Sequence, residues 1–319
     1  MIHALQVVHH PGYTIPLPAS HPFPMAKFRA LRERLDRVDF APRLTFHVPE
    51  SITPEHLERV HSPEYVEAFL GGRISQRDQK RTGFRWSEAL RERTLLEVGG
   101  TLLTLRLALA RGLACNTAGG THHAHPDFGS GYCLLNDLAV AAAAALDEGL
   151  AKRILIVDLD VHQGDGTAVI FDREPRVFTL SMHGTGNFPV TKQRSDLDIP
   201  LPAGCRDDEY LAELADHLPG VLAQFRPDLV IYDAGVDVHE TDRLGRLNVS
   251  DVGLAARDHY VLSTCRTRDI PVAAVIGGGY DRDLAALTDR HEQLFRAAVA
   301  VMDGATLPEE PRNACMVVE

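Results

Sequence analysis

Residues 158–166, Asp-Leu-Asp-Val-His-Gln-Gly-Asp-Gly, carry the residue types of a metal-centred active site. They follow an apolar run, residues 154–157, that is typical of a buried strand. Because alternate residues of a strand share a face, Asp158, Asp160 and His162 are predicted to project in the same direction. Burying several carboxylates costs free energy unless a cation compensates their charge. The pattern therefore predicts a site for a divalent metal ion.

Three side chains are the candidate ligands of that ion. Asp160, His162 and Asp237 would leave a fourth coordination position open for water and substrate, which is the arrangement of a catalytic zinc. The same oxygen-rich set would accept Fe²⁺ or another first-row ion. The alternative interpretation of the segment is a set of helix caps and surface charges around Gly164-Asp165-Gly166.

A histidine pair, His122-His123, lies in a glycine-flanked loop after the predicted strand 113–117. Adjacent histidines are also common in surface loops, which is the alternative interpretation. Asp158 and Asp165 have no other assigned role, and each can hold one imidazole through its ring N–H, which fixes the tautomer and raises basicity. One histidine would then deprotonate a metal-activated water and return the proton to the leaving group.

Tyr280 follows three glycines at the end of another predicted strand. Glycines permit positive φ and a close approach to a ligand. The phenol can donate a hydrogen bond to the oxyanion of a tetrahedral intermediate. A phosphate-binding glycine loop or a plain turn is the alternative, but no Lys-Ser/Thr follows these glycines and no GxGxxG clearly opens a helix.

Other residues near these motifs are interpreted as structural. No matched partner is predicted for His125, His183 or His239. Cys133 lacks a base that is not already employed, which argues against a cysteine nucleophile.

The composition is ordinary for a globular protein. The chain has 319 residues, 45% hydrophobic and 24% charged, and its formal net charge of -11 argues against a nucleic-acid platform. Five scattered cysteines without a CxxC pair indicate a reducing compartment. No secretion signal and no bilayer-spanning apolar run is evident, so a cytoplasmic location without a membrane partner is predicted.

From residue 112 onward, apolar strands alternate with helices, which predicts an α/β fold with a parallel sheet covered on both faces. Strands are predicted at residues 4–8, 113–117, 154–160, 177–181, 229–233 and 272–276. Helices are predicted from about residue 24 and at 87–110 (interrupted at Gly99-Gly100), 137–148, 165–171, 207–225, 252–268 and 283–302. Residues 71–81 are predicted to form a polar loop. No linker is evident, so one domain is predicted over residues 1–304, with a polar tail at 305–319.

Four polar clusters follow four of these strands. In parallel sheets the carboxyl ends of the strands meet at one edge, where binding sites form. The clusters are therefore predicted to share one cleft.

Taken together, these motifs resemble the histone deacetylase superfamily, which has the arginase/deacetylase fold. The motifs appear in that family's order at residues 119–124, 131–133, 158–166 and 277–280. The residues around 21–24, 233–237 and 240–247 resemble the class IV branch most closely. The resemblance implies one α/β domain on a parallel sheet of about eight strands. It also implies hydrolysis of an N-acyl amide, typically acyl-lysine, by a metal-activated water.

The resemblance also implies a role for each site residue. Asp160, His162 and Asp237 would bind zinc, and Tyr280 would be the oxyanion donor. His123, oriented by Asp165, would be the general base and acid. His122, paired with Asp158, would be the electrostatic partner. A structural potassium ion would use Asp158, Ser181 and backbone carbonyls of Asp160, His162 and Met182. The acyl-lysine channel would be shaped by Gly131, Tyr132 and Phe188, and Gly278 would also bind substrate.

The expected substrate is acylated lysine, acetyl or longer, in a protein or peptide. A small acylated amine such as an acetylpolyamine, or an ester or thioester, remains the alternative for the same machinery. A noncatalytic metal-binding protein is disfavoured because His122, His123 and Tyr280 are all present.

Overall fold

The protein's structure, a computed structural model, describes residues 4–304. The predicted tail, residues 305–319, lies outside the described residues. Eight parallel strands form one sheet in the order β2-β1-β3-β8-β7-β4-β5-β6. The strands are β1 (Leu5–Val8), β2 (Leu44–His47), β3 (Leu113–Asn116), β4 (Ile154–Asp158), β5 (Val177–Gly184), β6 (Leu197–Leu201), β7 (Leu229–Asp233) and β8 (Val272–Val275). The predicted α/β fold on a parallel sheet of about eight strands is confirmed.

Ten α-helices connect and cover these strands in the described part of the chain. They are α1 (Lys27–Leu35), α2 (Pro54–Leu57), α3 (Pro63–Leu70), α4 (Gln76–Thr82), α5 (Glu88–Arg111), α6 (Asp137–Asp147), α7 (Asp165–Phe171), α8 (Asp207–Phe225), α9 (Asp251–Arg266) and α10 (Leu284–Met302). The strands β3, β4, β7 and β8 are buried along their whole length, which requires cover on both faces of the sheet. Within residues 4–304, no helix is both long and apolar enough to cross a membrane.

The sheet order explains how one cleft arises from distant segments. The four strands that precede the polar clusters are neighbours, in the order β3-β8-β7-β4. The last residues of β4 and β7, Asp158 and Asp233, are directly paired. The loops after these strands therefore meet at one edge of the sheet, as predicted.

Helix α5 corrects one prediction, because it runs without interruption through Gly99 and Gly100. A Cβ at Gly99 would lie 2.0 Å from the carbonyl oxygen of Glu50, and one at Gly100 would lie 1.9 Å from the Tyr13 hydroxyl. The two glycines therefore permit close packing of the helix and do not break it.

The predicted polar loop at 71–81 is also wrong in part, because α4 lies within it. The Ser75 hydroxyl accepts a hydrogen bond from the backbone N–H of Asp78, and Gly83 ends the helix with a φ of 75°. Only Thr82 of this helix is buried, so its sequence has no apolar periodicity to detect. The edge strand β6 was also missed, because Pro200 lies within its alternating pattern and a proline is tolerated only at the edge of a sheet.

Candidate active site

Three side chains converge just beyond the ends of β4 and β7. His162 Nδ1 lies 2.9 Å from Asp160 Oδ1 and 3.1 Å from Asp237 Oδ2, and all three residues are buried. Backbone donors fix the carboxylates: Val161 N–H donates to Asp237 Oδ1 at 2.9 Å, and Gly278 N–H to Asp160 Oδ2 at 2.9 Å. The structure therefore brings together the three predicted metal ligands.

The charges of this cluster fit a divalent cation. Burial and the neighbouring Asp160 raise the pKa of Asp237 to about 7 when no metal is present. Burial disfavours the charged form of His162, but the neighbouring carboxylates of Asp160 and Asp237 outweigh burial and raise the pKa of His162 to about 10. Asp237 Oδ2 has no hydrogen-bond donor aligned with it. A buried, converging set of two carboxylates and one imidazole, with an orphaned oxygen, is what a dication binds.

His122 lies beside this cluster and is held by Asp158. Its Nδ1 is 2.6 Å from Asp158 Oδ2 and 3.9 Å from Asp233 Oδ2. Burial opposes a charged imidazole, but Asp158, Asp160 and Asp233 outweigh burial and raise the pKa of His122 well above its usual range. His122 is therefore an imidazolium at neutral pH.

His123 stands in a different environment, although it is the next residue. Its Nδ1 lies 2.6 Å from Asp165 Oδ1 at the start of α7, and the two histidine rings are 4.1 Å apart. Burial and the charge of His122 lower the pKa of His123 to about 4, in spite of the Asp165 carboxylate. The imidazole of His123 is therefore neutral at pH 7 and can accept a proton.

Three histidines for which no partner was predicted all have one in the structure. His125 Nε2 lies 3.0 Å from Asp165 Oδ2, so one carboxylate holds both His123 and His125. The other two contacts are His183 Nδ1 with the Ser181 hydroxyl at 3.0 Å and His239 Nε2 with Asp251 Oδ1 at 3.3 Å. Tertiary packing brings Asp165 to His125 and Asp251 to His239. Ser181 and His183 are alternate residues of the same strand, β5.

Tyr280 lies beside a cavity of about 280 Å³ that leads to these residues. The Tyr280 ring is 6.3 Å from the His162 ring, and its hydroxyl makes no hydrogen bond to any residue of the described chain. The cavity is lined by His123, Gly131, Tyr132, His162, Gly186, Asn187, Phe188, Leu244, Arg246 and Tyr280. The three predicted channel residues, Gly131, Tyr132 and Phe188, thus lie on its wall. Gly278, predicted to bind substrate, lies against the carboxylates, where a Cβ would be 2.3 Å from Asp237 Oδ2.

The residues predicted to hold potassium lie on adjacent strands. Asp158 of β4 and Ser181 of β5 are directly paired in the sheet, and both are buried. Met182 follows in β5 and is buried as well. The Asp158 carboxylate is already engaged, because Oδ1 accepts a hydrogen bond from the backbone N–H of Asp160 at 3.1 Å.

Lys27 is a buried site residue that sequence reasoning missed. Its ammonium donates a hydrogen bond to the Gly277 carbonyl at 3.0 Å and lies 5.8 Å from the centre of the Tyr280 ring. Burial lowers the pKa of Lys27 to about 8, although the nearby carboxylates oppose that shift. Nothing in the sequence signals it, because a lysine at the start of an amphipathic helix normally faces solvent.

Two acidic residues of the site were also missed. Asp233 is fully buried, and neither of its carboxylate oxygens has a hydrogen-bond partner. Its position at the end of a buried strand, four residues before Asp237, was the available signal. Asp242 accepts hydrogen bonds from the backbone N–H groups of Tyr280 at 2.6 Å and Leu244 at 2.8 Å, so it ties the tyrosine to the cavity wall.

Arg257 of α9 holds the segment that follows β7 and carries Asp237. It is completely buried, and its guanidinium donates to the carbonyl oxygens of Gly235 at 2.6 Å and Ala234 at 3.2 Å. An ion pair with Asp258 at 2.9 Å balances its charge. These contacts fix the backbone that carries Asp237.

Comparison with known proteins gives consistent matches over most of the chain. The histone deacetylase domain, as a family model, matches residues 21–297. An uncharacterized protein of Picosynechococcus sp. is 54% identical over 92% of this chain and 97% of its own length. Histone deacetylase 2 of Arabidopsis thaliana is 30% identical over 86% of this chain and 74% of its own. Acetoin utilization protein AcuC of Staphylococcus aureus is 28% identical over 81% and 72%, respectively.

A solved structure matches the fold. The crystal structure of the HDA15 HD domain superposes with a TM-score of 0.78, covering 93% of this chain and 90% of that one. The sequence identity is 23%, so this match concerns the fold alone.

Proposed function

Starting from the fact that the chain belongs to the histone deacetylase family, we propose that it hydrolyses the side-chain amide of acyl-lysine with a bound zinc ion. The family supports deacetylase chemistry. One observation carries the proposal: two adjacent histidines, each held by its own carboxylate at 2.6 Å, lie beside three converging metal ligands. Such a site can activate water, stabilise charge and transfer a proton.

Asp160, His162 and Asp237 would hold the metal ion. Once bound, zinc, or Fe²⁺ in its place, would polarise the acyl carbonyl and lower the pKa of water. The orphaned Asp237 Oδ2 supports this assignment, because a buried carboxylate oxygen without a donor is costly unless a cation compensates its charge.

His123 would act as general base and then as general acid. Its neutral imidazole accepts a proton from the attacking water as the C–O bond forms. The same proton then passes to the amine nitrogen as the C–N bond breaks, so the products are a carboxylic acid and the free lysine amine. Asp165 would orient the ring and stabilise its charged form.

His122 and Tyr280 would stabilise charge. His122, kept protonated by Asp158, supplies a fixed positive charge close to the reacting atoms. The free Tyr280 hydroxyl would donate a hydrogen bond to the acyl oxygen as negative charge develops on it.

Three finer assignments belong to the same proposal. The motif at 240–247 supports kinship with the class IV branch. The pairing of Asp158 with Ser181 supports a structural potassium ion held with the backbone of Asp160, His162 and Met182. Free cysteines at 115, 133, 205 and 265 support a reducing, cytoplasmic location.

The test is turnover of defined substrates by the zinc-loaded protein. The panel contains peptides with acetyl-, butyryl- and octanoyl-lysine, together with N-acetylputrescine and N8-acetylspermidine. We expect release of acid from at least one acyl-lysine peptide, and loss of that activity in Asp237→Asn. Turnover of the free polyamines alone would contradict a peptide-directed enzyme and support the small-amine alternative. Equal activity in Asp237→Asn would contradict the metal assignment.

A further inference from the structure

The wall of the active-site cavity carries one arginine, Arg246, and no carboxylate among the described residues. The chain as a whole has 44 acidic and 33 basic residues, so a carboxylate-free cavity wall is a local departure from its composition. A substrate that enters therefore meets positive charge.

The charge of Arg246 has no partner in the described part of the chain. Within residues 4–304, its guanidinium makes no ion pair and no side-chain hydrogen bond, and the same holds for Arg243 on the same loop. Two acidic side chains near Tyr280 are already engaged: Asp242 accepts the backbone N–H of Tyr280, and Asp281 pairs with Arg290 at 2.7 Å. The unpaired guanidinium is thus available to a ligand.

The position of Arg246 is fixed at the outer part of the cavity. Its residue is exposed, whereas His123, His162 and Tyr280 are buried. The Arg246 carbonyl accepts a hydrogen bond from the N–H of Gly204 at 2.8 Å, which anchors the backbone. A guanidinium there can contact the part of a substrate that remains near the protein surface while the acyl amide lies beside the buried His123 and Tyr280.

We propose that Arg246 binds a carboxylate on the amine side of the substrate and thereby selects acidic acyl-lysine substrates over cationic acyl amines. This inference rests on the proposed hydrolase function. A planar guanidinium matches a carboxylate through two parallel hydrogen bonds, which an ammonium group cannot form. The carboxylate is either the free C-terminus of a terminal acyl-lysine or an acidic side chain next to an internal one. An acetylpolyamine would place its own positive charge against Arg246.

Two matched substrate pairs test the proposal. The first is Gly-Ala-Lys(acetyl) with a free or an amidated C-terminus; the second is an amidated pentapeptide with Asp or Asn before an internal acetyl-lysine. For the wild-type enzyme we expect kcat/KM to be about fivefold to tenfold higher for the acidic member of at least one pair. The difference is expected in KM with kcat nearly equal, because the contact is remote from the reacting bond. The pair that shows it identifies the source of the carboxylate.

The variant Arg246→Gln is expected to reduce that ratio to below about twofold. The matched control is Arg111→Gln, which removes the same charge from an exposed arginine at the end of α5. Arg111 precedes β3, so it lies at the amino ends of the strands, whereas the site lies at their carboxyl ends. This control is expected to keep the full ratio. High salt should shrink the wild-type ratio, because an exposed ion pair is screened.

Two results would overturn the inference: acidic and neutral members cleaved equally by the wild type, or an undiminished ratio in Arg246→Gln. Failure of the proposed function looks different. In that case the zinc-loaded wild type cleaves no acyl-lysine substrate, acidic or neutral.

Discussion

Two adjacent residues, His122 and His123, have opposite protonation states in one cavity. His122 faces Asp158, Asp160 and Asp233, so its pKa is raised. The pKa of His123 is lowered to about 4 by burial and by the charge on its neighbour. Environments that push the pKa values of two groups apart allow one to remain an acid while the other serves as a base. The division of labour we propose for the pair follows from this contrast.

At the residue scale, Tyr280→Phe should lose most activity and keep its metal. The phenol makes no hydrogen bond to the described chain, so its removal costs the fold little. Loss of one oxyanion donor typically lowers kcat by about 10²-fold to 10³-fold. Steady-state kinetics on an acetyl-lysine peptide, with metal content measured by elemental analysis, checks both parts. Wild-type turnover in this variant would remove Tyr280 from the mechanism.

At the scale of single elements, helix α5 shows packing overruling helix propensity. Glycine is worse than alanine inside a helix by about 1 kcal/mol, yet α5 contains two in succession. Their hydrogen atoms face the backbone of Glu50 and the hydroxyl of Tyr13, where no methyl group fits. The helix thereby approaches the N-terminal segments that precede it.

Substitution of Gly99 tests this packing. Gly99→Ala is expected to lower the free energy of unfolding by about 1–3 kcal/mol, because a Cβ would lie 2.0 Å from the Glu50 carbonyl. The control is Gly220→Ala in α8, where a Cβ meets nothing within 4 Å and a gain of about 0.5–1 kcal/mol is expected. Urea denaturation measures both. A stabilising Gly99→Ala would show that the helix can move away from Glu50.

The buried His61 links the start of α3 to the site loops and should make stability depend on pH. Its Nδ1 donates to the His125 carbonyl at 2.9 Å, and its Nε2 accepts from the Asn136 N–H at 2.9 Å, so the ring must be neutral. Burial lowers its pKa to about 4. Between pH 6.5 and 4 the unfolded state therefore binds a proton that the folded state does not, and stability falls as the pH is lowered.

The expected slope from His61 is about 1.4 kcal/mol per pH unit in that window. Comparison with His61→Gln isolates it, because glutamine does not titrate while all other groups remain. Unfolding free energies of both proteins from pH 7.5 to 4.5 give the two slopes. Equal slopes would mean that His61 is protonated in the folded protein.

At the scale of the whole molecule, the fold gathers negative charge at one edge of the sheet. Asp158, Asp160, Asp233 and Asp237 are all buried there, and they come from the ends of two paired strands and the loops that follow. Burial and mutual repulsion raise the pKa of Asp233 well above its usual range. A cation at this edge would relieve the repulsion, so metal binding and global stability are coupled.

Zinc should therefore stabilise the whole domain. At a free zinc concentration about 100 times Kd, the gain is about 2.7 kcal/mol, seen as a higher Tm. Asp237→Asn should lose most of this gain, because one ligand is removed. Thermal unfolding with chelator and with added zinc, followed for both proteins, makes the comparison. An equal Tm increase in both would place the stabilising zinc elsewhere.

Local patterns in the sequence were sufficient to predict six of the eight strands and the cluster that follows them, whereas the edge strands β2 and β6 were not predicted. Apolar runs mark the strands, and because side chains alternate along a strand, the spacing of Asp158, Asp160 and His162 placed them together. The rule that parallel strands present their carboxyl ends at one edge added His123 and Tyr280. These inferences need only short-range periodicity and sheet geometry, both of which are encoded in neighbouring residues.

Tertiary structure alone decided the environment of that cluster. The contact between Lys27 and Gly277 joins residues 250 positions apart. The local sequence does not reveal that Arg246 is unpaired within residues 4–304 or that the Asp233 carboxylate lacks a hydrogen-bond donor. The continuity of α5 through Gly99 was likewise set by a distant backbone. Burial, protonation and the free or occupied state of a charge depend on every group packed within a few ångströms. Distance along the chain carries almost no information about that packing, so these properties emerge only in the folded protein.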